Sequence, residues 1–313
     1  MTAPLPVTLI AGYLGAGKTT LVNALLRHAG GRRLAVLVNE FGDLPIDGDL
    51  IEAREANLIS IAGGCICCSF GSDLVAALIE ITGRGEGIDH LLIETSGVAL
   101  PGSIVQSIGL LPGLVIDGVV VLADAETVRE RADDRYMSDT VRGQLAGADL
   151  IVLNKVDLVQ PEQVATTIRW LEGIAPGARL LPARNAAVPI EIILGGHPES
   201  RRADSQRQAL EHQTADYATL TLDIPHPVDA EKLARVLSDP RLGLLRAKGF
   251  LRNLDGELAT LHVVGRRASV EPAPARIEGN GRLVCIGLAA GMDREAIEAA
   301  VAEEQCAPAA IEV

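Results

Sequence analysis

The chain has 313 residues, and its 28 Lys and Arg against 41 Asp and Glu give a formal net charge of −13. This acidity disfavours nucleic acid as a partner and weakens attraction to an anionic membrane surface. The sequence has neither an uncharged apolar run of membrane-spanning length nor a cationic leader. We therefore expect a cytoplasmic protein without a membrane partner, and the length fits one α/β domain plus a smaller one.

Strand-like and helix-like segments alternate from residue 6 to about residue 195. This alternation predicts an α/β fold, a mostly parallel sheet with helices on both faces. The predicted strands are apolar runs at 6–11, 34–38, 58–62, 91–94, 119–123, 151–154 and 180–182. Amphipathic helices are predicted at 73–81 and 163–171.

A polar stretch, residues 197–215, separates this region from a second one and reads as a linker. The predicted elements beyond it are strands at 217–224 and 282–288, helices at 229–237 and 293–303, and an antiparallel pair turning at 253–256. We therefore predict a nucleotide-binding domain at 1–196 and a smaller α+β domain at 216–313.

A phosphate-binding loop follows the first strand. Residues 12–20 read Gly-Tyr-Leu-Gly-Ala-Gly-Lys-Thr-Thr, the P-loop pattern G-x-x-x-x-G-K-[ST] between a strand and a helix. Its glycines let backbone amides approach the phosphates at a helix N-terminus. We expect Lys18 to reach the β- and γ-phosphates and Thr19 to bind Mg²⁺. The predicted phosphate-binding residues are Gly12, Gly15, Ala16, Gly17, Lys18, Thr19 and Thr20.

The base is indicated by Asn-Lys-Val-Asp at residues 154–157, at the carboxyl end of a predicted buried strand. A carboxylate can accept both donors on the Watson–Crick edge of guanine, and adenine does not offer that pair. We expect Asp157 to read guanine, Asn154 to support the purine and the Lys155 stem to lie along the ring. The alternative is a residue that only caps a helix. With the P-loop upstream, the motif favours GTP.

The catalytic carboxylate is predicted from residues 91–97, Leu-Leu-Ile-Glu-Thr-Ser-Gly. Glu94 can hold the Mg²⁺ shell or orient the attacking water, and Gly97 can offer an amide to the γ-phosphate. Lys18, Thr19 and Glu94 are the predicted catalytic residues of GTP hydrolysis to GDP and phosphate. No arginine is obviously placed as a finger in cis, so we expect slow intrinsic turnover.

A transition-metal site is indicated by Gly-Gly-Cys-Ile-Cys-Cys at residues 63–68. The thiolates of Cys65, Cys67 and Cys68 can converge if the backbone turns, which the glycines allow. Sulfur donors select Zn²⁺, Co²⁺ or Cu⁺ over Mg²⁺. The fourth position is open to Glu40, water or a ligand from a client protein. The alternative is that these cysteines pack under the P-loop or respond to oxidation.

The ordered motifs GYLGAGKTT, NEFG, GGCICC, ETSG and NKVD resemble the CobW-type metal-chaperone GTPases, relatives of the urease and hydrogenase nickel-insertion GTPases. Residues 245–249 and 282–287 are similar to the CobW C-terminal domain. The resemblance implies GTP and Mg²⁺ as cofactors, a Zn²⁺ or Co²⁺ cargo on the cysteine motif, and a client metalloprotein as partner. Whether the protein forms a homodimer stays an open question. Only six histidines are scattered along the chain, so a metal reservoir is not expected.

Coupling between the two sites is the mechanism we expect. GTP and Mg²⁺ would order the neighbouring loops, and hydrolysis would loosen them and open the metal ligands. GTP must then raise metal affinity by the factor by which metal raises GTP affinity. Two alternatives remain, a small-molecule P-loop kinase and a non-catalytic metal or redox sensor that binds GTP. The NKVD motif disfavours the kinase, and the position of Glu94 disfavours the inert sensor.

Overall fold

The structure, a computed structural model, describes residues 4–38, 59–62, 72–84, 87–195, 217–273 and 281–305. It divides into two compact units, Pro4–Leu194 and Gly195–Val313. The predicted linker, residues 197–215, lies outside the described residues. The predicted domain boundaries on either side of it therefore stay a prediction.

The first unit is built on a seven-stranded sheet in which all neighbouring strands are parallel. The strand order is β3-β2-β4-β1-β5-β6-β7. The strands are β1 (Leu5–Gly12), β2 (Leu34–Val38), β3 (Ile59–Ala62), β4 (His90–Glu94), β5 (Leu114–Asp124), β6 (Leu150–Asn154) and β7 (Arg179–Pro182). The predicted parallel α/β sheet is confirmed.

Helices cover this sheet on both faces. They are α1 (Lys18–Arg27), α2 (Ser72–Arg84), α3 (Pro101–Gly109), α4 (Val128–Asp133), α5 (Ser138–Ala146), α6 (Pro161–Ile174) and α7 (Ile190–Leu194). The neighbours Leu9 and Ile10 in β1 point to opposite faces and are both 0% exposed, as expected for a strand covered on both sides. In the part of the chain that the structure describes, no helix combines the length and apolar character needed to cross a membrane.

The parallel register gathers several chemically important residues at one edge of the sheet. Ile10 of β1 lies opposite Glu94 of β4, and Gly12 lies opposite Leu122 of β5. Asp124 at the end of β5 lies opposite Asn154 at the end of β6. Because ligands of open α/β sheets bind outside the carboxyl ends of the strands, this edge is the expected place for a ligand.

The second unit is a five-stranded antiparallel sheet, in the order β11-β10-β9-β12-β8, with two helices. Its strands are β8 (Tyr217–Ile224), β9 (Leu244–Arg252), β10 (Leu258–Val264), β11 (Arg267–Pro272) and β12 (Gly281–Leu288), and its helices are α8 (Ala230–Leu237) and α9 (Arg294–Glu304). The predicted α+β class is confirmed, and β11 is an addition to the predicted elements.

Both helices of this unit begin where the sequence indicated. The Asp229 side chain accepts a hydrogen bond from the Lys232 backbone amide at the start of α8, and Asp293 does the same for Ala296 at α9. Such caps satisfy amides that a helix leaves without a partner. Helix α8 then buries residues spaced as one helical face, namely Ala230, Leu233, Ala234 and Leu237.

Candidate nucleotide-binding site

The loop between β1 and α1 requires glycine at two positions. Gly12 has a φ of +133°, and a Cβ there would lie 2.3 Å from the carbonyl oxygen of Leu122. Gly17 has a φ of +105°, and its Cβ would lie 2.5 Å from Asn154 Nδ2. Helix α1 begins directly afterwards at Lys18, so its first amides point out of the helix at this loop. This is the geometry of an anion-binding helix N-terminus.

Thr19 and Glu94, which are 75 residues apart in the chain, meet beside this loop. Thr19 Oγ1 donates a hydrogen bond to Glu94 Oε1 at 2.7 Å. Glu94 is 3% exposed, and Lys18, which directly precedes Thr19, is also buried. A hydroxyl and a carboxylate are the hard oxygen donors that Mg²⁺ prefers. The two residues therefore fit the metal that sequence analysis assigned to them.

Asn154 joins the phosphate-binding loop to the loop after β7. Its Nδ2 donates to the Ala16 carbonyl at 2.9 Å, and its Oδ1 accepts from the Ala186 amide at 2.7 Å. The side chain is 2% exposed, so both bonds are made away from water. Asn154 thus holds two loops in place, and its predicted contact with a purine stays a prediction.

Lys155 and Asp157 follow at the same edge. Lys155 has a φ of +62°, a conformation that non-glycine residues adopt rarely and that clusters at functional sites. Its Nζ pairs with Asp124 Oδ2 at 2.7 Å, which links the ends of β5 and β6. Asp157 lies in a short 3₁₀-helix, Val156–Leu158, and is exposed. Its carboxylate is therefore accessible to a ligand.

The loop after β7 contributes backbone groups that the sequence did not indicate. Asn185 and Ala186 both have positive φ, at 49° and 52°. The Ala183 amide donates to the Leu153 carbonyl, and the Ala183 carbonyl accepts from Val156. The loop therefore runs beside the NKVD motif. Its alanine-rich sequence has no motif, and only the two strained residues mark it as a candidate site.

Gly97 packs directly against the phosphate-binding loop. A Cβ at this position would lie 2.6 Å from the side chain of Leu14 and 2.9 Å from its backbone nitrogen. Gln144 of α5 holds the loop that carries Gly97. Its Nε2 donates to the Gly97 carbonyl at 3.1 Å and to the Ala99 carbonyl at 2.9 Å. The sequence does not indicate Gln144, because nothing local distinguishes it from other helical glutamines.

One arginine also contacts the phosphate-binding loop. The guanidinium of Arg131 in α4 lies 5.3 Å from the centre of the Tyr13 ring, within the range of a cation–π interaction. The Tyr13 hydroxyl donates to Met137 Sδ at 2.8 Å. The sequence does not indicate an arginine near the phosphates, whereas in the structure Arg131 contacts the second residue of the P-loop.

The predicted transition-metal ligands, Glu40, Cys65, Cys67 and Cys68, lie outside the described residues. Among the residues that are described, no cluster of three His, Cys, Asp or Glu side chains could hold a metal ion. The strands that lead to the ligands are described. Val38, the last residue of β2, lies opposite Ala62 of β3 on one side and Glu94 of β4 on the other.

Cys285 is a different kind of cysteine. It is 0% exposed in the core of the second unit, and burial raises the pKa of its thiol to about 12. Metal ions bind the thiolate, which this environment disfavours. Cys285 is therefore a buried structural thiol.

Comparison with known proteins identifies the family. Residues 6–182, more than half of the chain, match the model "CobW/HypB/UreG, nucleotide-binding domain". This chain belongs to that family. Residues 217–304 match the "Cobalamin synthesis protein cobW C-terminal domain". The predicted CobW-type resemblance is therefore confirmed for both regions.

Named relatives of this CobW-family chain include three that bear on function. "Zinc chaperone CobW" of Sinorhizobium sp is 30% identical over 95% of this chain and 96% of its own. "Zinc chaperone YjiA" of Escherichia coli K12 is 32% identical over 81% of this chain and 83% of its own. "Zinc-regulated GTPase metalloprotein activator 1" of Dictyostelium discoideum is 29% identical over 79% of this chain and 62% of its own. The individual roles predicted for site residues stay predictions.

Proposed function

We propose that this CobW-family protein binds and hydrolyses GTP, and that the bound nucleotide controls how tightly it holds a zinc ion destined for a client metalloprotein. The proposal for nucleotide binding depends on the Asn154 side chain, which connects the P-loop at Ala16 to the loop beside the NKVD motif. This bridge supports a single site for the phosphates and the base. The proposal for zinc is supported by the relatives named zinc chaperones and by the Cys-x-Cys-Cys motif.

The proposed reaction is attack of water on the γ-phosphorus, with cleavage of its bond to the bridging β–γ oxygen to give GDP and phosphate. Lys18 would neutralise charge on the β- and γ-phosphates. Gly97 would donate its amide to the γ-phosphate, and Glu94 would orient the water or hold a metal-bound water. Thr19 and Glu94 would hold Mg²⁺, which when bound neutralises phosphate charge.

Guanine recognition would depend on Asp157. Asp157 is the last residue of the NKVD motif and is exposed. Its carboxylate could accept hydrogen bonds from both donors on the Watson–Crick edge of guanine. The methylenes of Lys155 would cover one face of the ring, and the Asp124 ion pair would fix the direction of that side chain. Adenine lacks the matching pair of donors, so ATP should bind far more weakly.

Zinc would be held by Cys65, Cys67 and Cys68, with Glu40 as a fourth ligand. Thiolates suit zinc better than magnesium, so the two metals would not compete for one site. Glu40 follows the end of β2 by two residues, and Cys65 follows the end of β3 by three. At 3.8 Å per residue, Cys65 is within about 11 Å of Ala62. Ala62 and Glu94 both lie opposite Val38, so these short separations along the chain support a zinc site on the same side of the sheet as Glu94 and the phosphates.

The setting of this activity belongs to the same proposal. Unpaired thiols persist in the reducing cytoplasm, which is where we place the protein. Its partner would be a client metalloprotein, with no nucleic acid involved because of the −13 charge. The cargo would be zinc, with cobalt as the competing ion, and either a monomer or a homodimer would satisfy the scheme.

The decisive experiment is equilibrium dialysis with Zn²⁺ and Co²⁺. Uptake is measured for the nucleotide-free, GDP-loaded and GTPγS-loaded protein, and for Cys67→Ala. We expect GTPγS to tighten zinc binding at least fivefold, the lower end of ordinary couplings between sites, and Cys67→Ala to abolish this difference while still binding GTP. Cys285→Ala is the matched control, since it removes a cysteine outside the motif.

Three outcomes would contradict the proposal. Identical metal uptake in all three nucleotide states would remove the coupling. Equal hydrolysis of ATP and GTP, or transfer of phosphate to a metabolite, would favour the kinase. Absence of phosphate release with metal and client present would favour the non-catalytic sensor.

A further inference from the structure

Gln144 is a buried polar residue whose contacts the proposed reaction does not use. It lies on α5, is 1% exposed, and directs its Nε2 at two backbone carbonyls, those of Gly97 and Ala99. A terminal amide nitrogen has two hydrogens, and here each has an acceptor. A buried side chain that satisfies two carbonyls of one loop fixes the position of that loop.

The Gly97 loop has two further anchors. The Thr95 amide donates to the Ile10 carbonyl at 2.9 Å, which extends the pairing of β4 with β1. The Ala99 amide donates to the Ser96 carbonyl at 3.1 Å, which closes a turn. The Ser96 carbonyl belongs to the same peptide group as the Gly97 N–H. The turn and Gln144 therefore hold the peptide groups on both sides of Gly97.

Helix α5 supports the loop at more than one position. A Cβ on Gly143 would lie 2.9 Å from the Leu100 side chain, and one on Gly147, directly after the helix, would lie 3.9 Å from Pro101. The helix is followed after three residues by β6, whose carboxyl end carries the NKVD motif. The same helix that carries Gln144 thus connects the Gly97 loop to the base-recognition strand.

We propose that Gln144 is a positioning residue for recognition of the γ-phosphate. It holds the Gly97 amide in its binding orientation before GTP arrives, so that GTP does not have to order the loop. The consequence is selective, because GDP has no γ-phosphate to contact Gly97. This inference rests on the proposed function, in which Gly97 donates to the γ-phosphate.

The test compares Gln144→Met with Gln163→Met. Methionine keeps the size of glutamine and removes both donors, and Gln163 is an exposed glutamine on α6. We expect Gln144→Met to weaken GTPγS binding and to lower kcat/KM for GTP by about tenfold, the effect of losing about one net hydrogen bond. The dissociation constant for GDP should change by less than about twofold, because GDP has no γ-phosphate to contact Gly97. Gln163→Met should alter neither.

Rescue by a conservative variant separates positioning from packing. Gln144→His keeps one ring N–H donor, and it should recover part of the selectivity for GTPγS over GDP. If thermal unfolding shows that the methionine variant does not fold, Gln144→His tests the positioning role in its place. An equal loss of GDP and GTPγS affinity, or no loss of either, would overturn the inference. Failure of the wild type to hydrolyse GTP would instead overturn the proposed function.

Discussion

The loops on the two sides of β1 are held in different ways. On the side of β5, β6 and β7, polar side chains bond to backbone groups and side chains of the protein that no ligand is expected to replace. Asn154 bonds to two backbone groups, and Lys155 pairs with Asp124. On the side of β4, Gln144 also holds the backbone of the Gly97 loop, but at the phosphate-binding loop Thr19 donates its hydrogen bond to Glu94. That bond joins two groups that Mg²⁺ would also bind.

This difference assigns separate tasks to the two sides. The base side can receive GDP and GTP alike without breaking its own contacts, so its binding energy is not spent on ordering loops. On the phosphate side, the proposed function implies that the Thr19–Glu94 bond would give way when Mg²⁺ and a triphosphate bind. In the proposed function only that side would distinguish the two nucleotides, and β2 and β3, which lead to the predicted zinc ligands, lie on the same side.

The largest expected effect comes from Glu94→Gln on the phosphate side. The amide oxygen can still accept from Thr19, whereas the charge that orients water or the metal shell is lost. We expect kcat for GTP to fall by about 100-fold or more, the usual size of a lost acid–base or metal-orienting group, with GDP affinity unchanged. Single-turnover phosphate release and GDP titration measure the two quantities.

The control for Glu94→Gln is Glu162→Gln, the same change at an exposed position in the first turn of α6. Its hydrolysis rate and GDP affinity should match those of the wild type. If Glu94→Gln weakened GDP as strongly as it slowed hydrolysis, the two sides would not be independent, and the comparison would fail.

The next effect, on the base side, is a change of base preference by Asp157→Asn. The variant replaces a charged acceptor with an amide, so it should weaken GDP and GTP equally, by about 10- to 100-fold. Xanthine carries a carbonyl where guanine carries an amino group, and an amide can donate to that carbonyl. XTP should therefore bind the variant better than GTP does, and competition with a fluorescent nucleotide measures this.

The turnover of XTP by Asp157→Asn tests whether the phosphate side acts independently of the base side. At saturating XTP its kcat should approach that of the wild type with GTP, because the phosphate side is untouched. A variant that bound XTP and GTP equally weakly would show that Asp157 does not read the base.

Sequence patterns predicted much of this architecture because the information was local. Residues 34–38 and 217–224 are apolar or alternating runs, and they form β2 and β8 with the predicted bounds. Strand β11 was missed because Arg267–Pro272 is a partly exposed edge strand that ends in proline and has no apolar run. An edge position depends on the partner strand, which the local sequence does not reveal.

The candidate site divides in the same way. Motif spacing predicted Lys18, Thr19, Glu94 and the NKVD residues, because each follows a recognisable strand. Gln144 and Asp124 were not predicted, since their importance depends on contacts with residues 45 and 31 positions away. Such tertiary contacts supply the loop anchors, whereas local motifs supply the groups expected to touch the ligand.

The smallest expected effect comes from Asp124→Asn on the base side. The change removes the charge that fixes Lys155, in a pair whose side chains are 31% and 13% exposed. A partly exposed ion pair contributes about 0.5–1 kcal/mol, so GDP and GTP affinities should fall together by about two- to fivefold. Asp223→Asn breaks an exposed pair with Arg282 in the second unit and should leave both unchanged. Titrations at low and high salt measure the effect, which should shrink with salt because exposed charges are screened. A loss confined to GTP would show that the base side also reads the γ-phosphate, contrary to the division of tasks argued from Asn154 and Glu94.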